Sequence, residues 1–195
     1  MTATFELETQ KQAMRAKARA NRRAVPTDER EEAALAVARM DLGMLHAEPG
    51  ILGVYYPVRS EFDCLPLAIR LADEGWRLAL PVIVAGAPLE FHEWEFGAPV
   101  ATGPFGIPQP VDGQVTSPSA LMVPLLAFDR RCYRLGYGAG FYDRTLAALR
   151  RQNPIVAIGL AFEGQEVPEV PVCSYDERLD WILTPSGAIG AEERA

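Results

Sequence analysis

Lysine is nearly absent from this sequence: Lys11 and Lys17 stand against 17 arginines in a chain of 195 residues. Histidine is as scarce. His46 and His92 have no partner at ligand or triad spacing, so neither a histidine metal site nor a nucleophile–histidine triad has its parts, and neither residue is given a role. The three cysteines, Cys64, Cys132 and Cys173, are widely spaced and odd in number, which speaks against a disulfide framework or a zinc site and leaves buried or idle thiols. No apolar run approaches the roughly 18 residues of a membrane span, and residues 1–10 lack the apolar stretch of a secretory signal. The expectation is a cytoplasmic protein with no membrane partner. Hydrophobic residues make up 49% of the chain and charged residues 23%, as in one compact domain over residues 1–195. The net charge of −7 argues against a general nucleic-acid binder, although a local basic patch survives such an average.

One such patch stands near the start. Residues 9–25 read as a helix, opened by Thr9 with Gln12 three positions on, a capping-box pattern, and closed by Pro26. Within it Lys11, Arg15, Arg19 and Arg22 follow at spacings of four, four and three, which stacks four cations on one face with no acid between them. Two accounts are open: a solvated basic face, or a face that meets a polyanionic ligand. Both lysines of the chain lie in this helix, which tilts the balance to the second.

A second helix is predicted over residues 27–46, with Leu35, Ala38, Leu42 and Leu45 at helical spacing. The period then changes. Residues 51–56 form a short apolar run ending at Pro57, as in a buried strand, and Asp63 caps a helix that runs to Glu74 and stops at Gly75. Further strands are expected at 77–84, 89–94, 120–128, 155–162 and 181–184, with one more helix over 139–151. This alternation predicts an α/β fold, a three-layer domain with a largely parallel central sheet flanked by helices. Residues 187–195 read as a disordered tail. Residues 96–119 carry five prolines and four glycines, so they are neither helix nor central strand. A structureless stretch of that length reads as a lid or binding loop. Its Phe105-Gly106-Ile107-Pro108 segment either presents apolar groups to a ligand or pins the loop to the core. Trp94 is read as a packing residue.

The chemistry concentrates in residues 128–144, FDRRCYRLGYGAGFYDR. Gly136, Gly138 and Gly140 alternate through a turn between a buried strand and a helix. Glycines there permit positive φ and let backbone N–H groups converge on one spot, while the helix N-terminus adds positive potential, an arrangement that cradles phosphate. It is neither a Walker loop nor a dinucleotide fingerprint. Arg134 before the glycines can clamp phosphate oxygens, and Asp143 after them can hold Mg²⁺ or serve as a helix-dipole partner. Glu61 lies just past the 51–56 strand, where open α/β sheets gather ligands. Asp176 is either a second Mg²⁺ ligand or a turn residue.

These residues resemble the 5-formyltetrahydrofolate cyclo-ligase family from Lys11 to Thr184. The most specific matches are residues 124–129 and 134–144, supported by Lys11 with Arg15, Tyr56-Pro57 with Ser60-Glu61, Leu80-Pro81-Val82, Phe105-Gly106-Ile107-Pro108 and Asp176. Two positions depart: Cys132 stands where a glycine is usual, and Ala139 replaces the middle glycine of the loop. The resemblance implies an ATP- and Mg²⁺-dependent cyclisation of 5-formyltetrahydrofolate to 5,10-methenyltetrahydrofolate with release of ADP and phosphate. It implies that Lys11, Arg15, Arg134, Leu135, Gly136, Tyr137, Gly138, Ala139, Gly140, Phe141 and Tyr142 hold ATP and that Asp143 and Asp176 hold Mg²⁺. Tyr56, Glu61, Phe105 and residues 137–141 would meet the folate. The expected partners are these small molecules, not nucleic acid, and the expected state is a monomer. The alternatives are a paralogue that binds nucleotide without folate turnover, and a nucleic-acid-binding module that uses the basic helix.

Overall fold

The computed structural model describes residues 2–45 and 48–191. Its elements in chain order are α1 (Thr2–Ala24), α2 (Thr27–Ala38), β1 (Ile51–Gly53), α3 (Leu65–Asp73), β2 (Arg77–Val82), β3 (Glu90–Glu93), β4 (Val100–Thr102), β5 (Pro108–Pro110), β6 (Val115–Thr116), β7 (Ala120–Val123), β8 (Ala127–Phe128), β9 (Arg134–Leu135), α4 (Phe141–Gln152), β10 (Val156–Leu160), β11 (Trp181–Thr184) and β12 (Gly187–Gly190). Eight strands form one sheet in the order β12-β11-β10-β7-β1-β2-β3-β6. The inner five, β11, β10, β7, β1 and β2, are parallel, and β12, β3 and β6 are antiparallel edges.

The expected α/β class and largely parallel sheet are therefore present. β7, Ala-Leu-Met-Val, is buried along its whole length, as an apolar run covered on both faces must be. Leu52, Leu80, Met122, Ile158 and Leu183 point to one face beneath α2 and α3. Leu121, Val123, Ala157 and Ile182 point to the other, beneath Leu146 of α4. β1 leads through α3 to β2, and β7 leads through α4 to β10, so the chain winds outward in opposite directions from the neighbouring pair β1 and β7.

Several boundaries differ from the sequence expectation. α1 begins at Thr2, and Thr9 sits inside it: its hydroxyl donates to the Phe5 carbonyl at 2.9 Å, a bond one turn back that replaces the expected cap. α2 ends at Ala38, not at 46, because Asp41 and Gly43 disfavour helix; Leu42 and Leu45 still pack on the core. His46 lies outside the described residues. The expected Asp63 cap is displaced by one residue: Cys64 is the N-cap of α3 and no side chain caps it, while Asp63, just outside the helix, accepts the Leu65 N–H at 2.9 Å. At the other end Gly75 (φ +101°) closes a Schellman turn in which Trp76 N–H reaches the Leu71 carbonyl. The expected strand 120–128 breaks at Pro124, which has no N–H to give a ladder. Its second part, β8, pairs instead with β9 in a separate antiparallel hairpin.

The stretch 96–119 is not structureless. β4 and β5 form a hairpin whose prolines occupy a two-stranded sheet, and β6 adds an edge to β3. Residues 187–190 are likewise not disordered. Pro185 and Ser186 turn the chain, and β12 pairs with β11 from Thr184↔Gly187 to Trp181↔Gly190.

Candidate functional site at the carboxyl edge of the sheet

In an open sheet that reverses its winding between two strands, ligands bind in the crevice past their carboxyl ends. Here the segments leaving β1 (54–61) and β7 (124–143) meet in that place. α1 lies across them, with Ala18 packed against Leu126, Ala127, Leu135 and Val170. Asp129, fully buried, organises the approach. Its Oδ1 accepts the N–H groups of Arg131 (3.0 Å) and Tyr133 (3.2 Å), and its Oδ2 accepts those of Val170 (2.9 Å) and the Arg131 guanidinium. Cys132 on this turn has φ +62°, the left-handed region that favours glycine, so the departure at this position carries strain. Burial pushes its thiol up to about 11, which leaves it neutral. Ala139 is free of that strain, since its φ is not positive.

The basic helix does not present a uniformly solvated face. Lys11 and Arg22 are buried, and Arg15 is half-buried. Lys11 Nζ donates to Asp176 Oδ2 at 2.5 Å, and the same oxygen accepts the Cys173 N–H at 2.7 Å. Burial alone would push the Asp176 carboxyl up, but the Lys11 ammonium and the Cys173 N–H outweigh it and hold the group below its ordinary value. Arg15 Nε donates to the Gly136 carbonyl at 3.1 Å, and its guanidinium lies over Gly138. At φ +104°, Gly138 is a position where a Cβ would come within 3.3 Å of Arg15 Cζ. The next glycine, Gly140, has φ +66° and forms the N-cap of α4.

Arg134 is buried and spans two partners: it donates to Asp143 Oδ1 at 2.7 Å and to the Glu177 carbonyl at 2.5 Å. The Glu177 N–H in turn donates to Asp143 Oδ1 at 3.1 Å. Each expected metal ligand is thus ion-paired with an expected phosphate-binding cation. Both bonds to Asp143 fall on Oδ1, and those that Asp176 accepts from Lys11 and the Cys173 N–H fall on Oδ2. No group of three or more His, Cys, Asp or Glu suited to a metal exists among the described residues. Carboxylate oxygens are the donor type that Mg²⁺ takes together with phosphate and water.

On the other side of the turn, Tyr137 O–H donates to Glu61 Oε1, and Glu61 Oε2 accepts the Val58 N–H at 2.9 Å. Arg22 donates to the Tyr137 oxygen at 2.6 Å, to the Leu125 carbonyl at 3.2 Å and to Ser60 Oγ at 3.3 Å. Arg19 lies over the same tyrosine ring at 6.0 Å. Burial pushes the Tyr137 phenol well above its ordinary range, and Glu61 adds to this against the opposing Arg22. Phe105, exposed and at φ +59°, meets Phe141 edge-on with centroids 6.1 Å apart. The 104–106 turn therefore reaches the glycine turn.

Other sequence candidates are placed differently. The Leu135 side chain is buried beside Ala18, so only its backbone faces the turn. Tyr142, in the first turn of α4, packs against the core with its phenol under the cluster: burial pushes it up, and Glu61 and Tyr137 add to this against the opposing Arg134. Tyr56 makes its ring contact with Trp94 at 6.3 Å, and Trp94 is a packing residue, buried with its indole N–H on the Ala98 carbonyl. Sequence reasoning missed Arg22 as a site residue. The signal was present: eleven residues are close to three helical turns, so Arg22 falls in line with Lys11. Met14 and Ala18 between them mark that line as a packed face.

A doubly wound α/β chain with charge concentrated at its switch point is the framework of an enzyme acting on a small molecule, and comparison with known proteins makes it a ligase of folate metabolism. The chain belongs to the 5-formyltetrahydrofolate cyclo-ligase family, whose profile matches residues 7–185. It is 34% identical over 181 residues to the 5-formyltetrahydrofolate cyclo-ligase of Mycolicibacterium smegmatis, covering 88% of this chain and 91% of that one. With the Escherichia coli K12 cyclo-ligase it shares 32% over 142 residues, 69% and 78% of the two chains. The NMR structure of Aquifex aeolicus 5,10-methenyltetrahydrofolate synthetase superposes with a TM-score of 0.76 at 26% identity, covering 95% of this chain and 94% of that one. No helix among the described residues is long and apolar enough to cross a membrane.

Proposed function

We propose that the protein uses ATP, with Mg²⁺, to close 5-formyltetrahydrofolate into 5,10-methenyltetrahydrofolate, and that Lys11, Arg15, Arg134 and the 136–140 turn hold the nucleotide. The observation that carries this reading is the Arg15 guanidinium lying on Gly138, two residues before Gly140 forms the N-cap of α4. A cation and a helix N-terminus stand side by side there, the combination that binds phosphate.

The chemistry asks for such a site. A formyl oxygen on nitrogen is a poor leaving group. In the proposed reaction it attacks the γ-phosphorus, the bond to the ADP oxygen breaks, and the oxygen becomes a phosphate ester. N10 then attacks the formyl carbon, the C–O bond breaks with release of phosphate, and N10 gives up its proton. Phosphoryl transfer of this kind needs positioning and charge neutralisation more than covalent help. Lys11 and Arg134 hold carboxylates until phosphate oxygens take their place. Asp143 and Asp176 are the residues that would hold Mg²⁺, which supplies charge neutralisation on the phosphates. Glu61 accepts N–H donors of the pterin, and Phe105 with Phe141 supplies apolar walls.

The test is absorbance of the methenyl product from 5-formyltetrahydrofolate. Turnover is expected only with ATP and Mg²⁺ together, and undiminished turnover in excess chelator or without ATP overturns the reading.

A further inference from the structure

Arg22 is a buried guanidinium, 4% exposed, that forms no ion pair among the described residues. An arginine taken out of water without a counter-charge is expensive unless its donors are satisfied and a negative charge lies close. Its donors go to a carbonyl, a serine and the Tyr137 oxygen, and the negative charge it faces is Glu61, one phenol away.

We infer that Arg22 is a positioning residue for folate recognition: acting through the Tyr137 hydroxyl, it fixes the carboxylate of Glu61 at the mouth of the crevice. The inference rests on the reading of Glu61 as the folate-facing acceptor. A hydroxyl is suited to the relay because it accepts from the guanidinium while donating to the carboxylate, and each bond polarises the other. Arg22 itself is held from two further sides, so the relay starts from a fixed point. The Val58 N–H fixes the second oxygen of Glu61. Each carboxylate oxygen accepts one such bond and keeps lone-pair capacity, so the group is aimed and able to take adjacent N–H donors from one edge of a heterocycle. A direct Arg22–Glu61 salt bridge would occupy that capacity. Arg22 is thereby set apart from Lys11 and Arg15, which meet Asp176 and the glycine turn three and two helical turns earlier.

The experiment is calorimetric titration of 5-formyltetrahydrofolate without nucleotide, alongside the ATP KM and the melting temperature, for Arg22→Met, Arg22→Lys, Tyr137→Phe, Arg22→Met with Tyr137→Phe, and Glu61→Ala. Loss of one charge-assisted bond in the relay predicts about tenfold weaker folate binding in Arg22→Met and in Tyr137→Phe. The double variant should be no weaker than the weaker single one, because both break one chain. Arg22→Lys should recover part of the loss, and the ATP KM of the single Arg22 variants should stay within about twofold. The inference fails if folded Arg22→Met and Tyr137→Phe bind folate as the wild type does, or if their effects multiply in the double variant. Should Glu61→Ala weaken folate while these two do not, the relay alone is wrong. Unchanged affinity in Glu61→Ala overturns the folate reading of Glu61 and the relay with it. If Arg22→Met does not fold, the half-exposed Tyr137→Phe still decides.

Discussion

The two sides of the 136–140 turn solve the same problem differently. On one side cations meet carboxylates directly, Lys11 on Asp176 and Arg134 on Asp143. On the other a phenol stands between Arg22 and Glu61. A direct pair neutralises both partners, so an anion that takes the cation frees the carboxylate. On the reading proposed above, that exchange suits a site where phosphate and a divalent cation arrive together. A phenol relay keeps the carboxylate clear of a direct cation and the guanidinium in place, which suits a site that recognises N–H donors. On that same reading the nucleotide belongs to the side of exchangeable pairs and the folate to the side of the fixed relay.

The largest effect should come from the residue between the two sides. Gly138 combines φ +104° with a Cβ position 3.3 Å from Arg15 Cζ, so Gly138→Val displaces the guanidinium as well as straining the backbone. Misplacement of about 1 Å at a reacting centre costs roughly 100-fold in rate, whereas the strain itself costs roughly 1–2 kcal/mol of stability. Turnover per folded molecule is expected to fall about 100-fold while the protein still melts cooperatively. Early melting with near-normal turnover would make the turn purely structural and would dissolve the contrast between its two sides.

A smaller effect separates the sides. Lys11→Ala and Arg15→Ala each remove a cation from the exchangeable side, and loss of one charge-assisted contact predicts an ATP KM raised about tenfold. Folate affinity measured without nucleotide should hardly move. If both variants keep the wild-type ATP KM, the stripe is an element of packing and the nucleotide binds elsewhere.

How far the molecule was legible in its sequence follows the same division. The parallel strands were readable because a strand buried on both faces is an uninterrupted apolar run, as in Ala120 to Val123. β12 was not, because Gly187-Ala188-Ile189-Gly190 is too short and glycine-rich to show alternation, and pairing with β11 supplies the order that its composition lacks. Lys11, Arg15 and the glycine turn could be proposed from residue types. Their partners could not, since Lys11 and Asp176 lie 165 residues apart and meet only because α1 crosses the finished sheet. Arg22 could be read as one of four cations on a face, but its burial could not, since Ser60, Leu125 and Tyr137 reach it from distant segments. Cys132 could be recognised as a departure, but only its left-handed φ shows what a glycine would gain there.

The smallest expected effect concerns protons, and it sharpens the contrast directly. Asp176 titrates below its ordinary value because Lys11 and the Cys173 N–H outweigh its burial. A carboxyl depressed in the folded state adds stability above its unfolded pKa, about 3.9, and loses it as pH falls through the folded value. A partly exposed pair of this kind contributes about 1 kcal/mol or less. Asp176→Asn should therefore melt about 2–4 °C or less below the wild type at pH 7, and the gap should close below pH ~3.9. The relay side has the opposite sense. The Tyr137 phenol is raised by burial and by Glu61, so its contribution is complete below the unfolded phenol value and declines only above pH ~10. The melting gap between wild type and Tyr137→Phe should consequently stay constant from pH 5 to pH 9. A gap for Asp176→Asn that is equally flat down to pH 3 would mean that Lys11 and Asp176 are not paired in solution, and the direct side of the comparison would lose its first member.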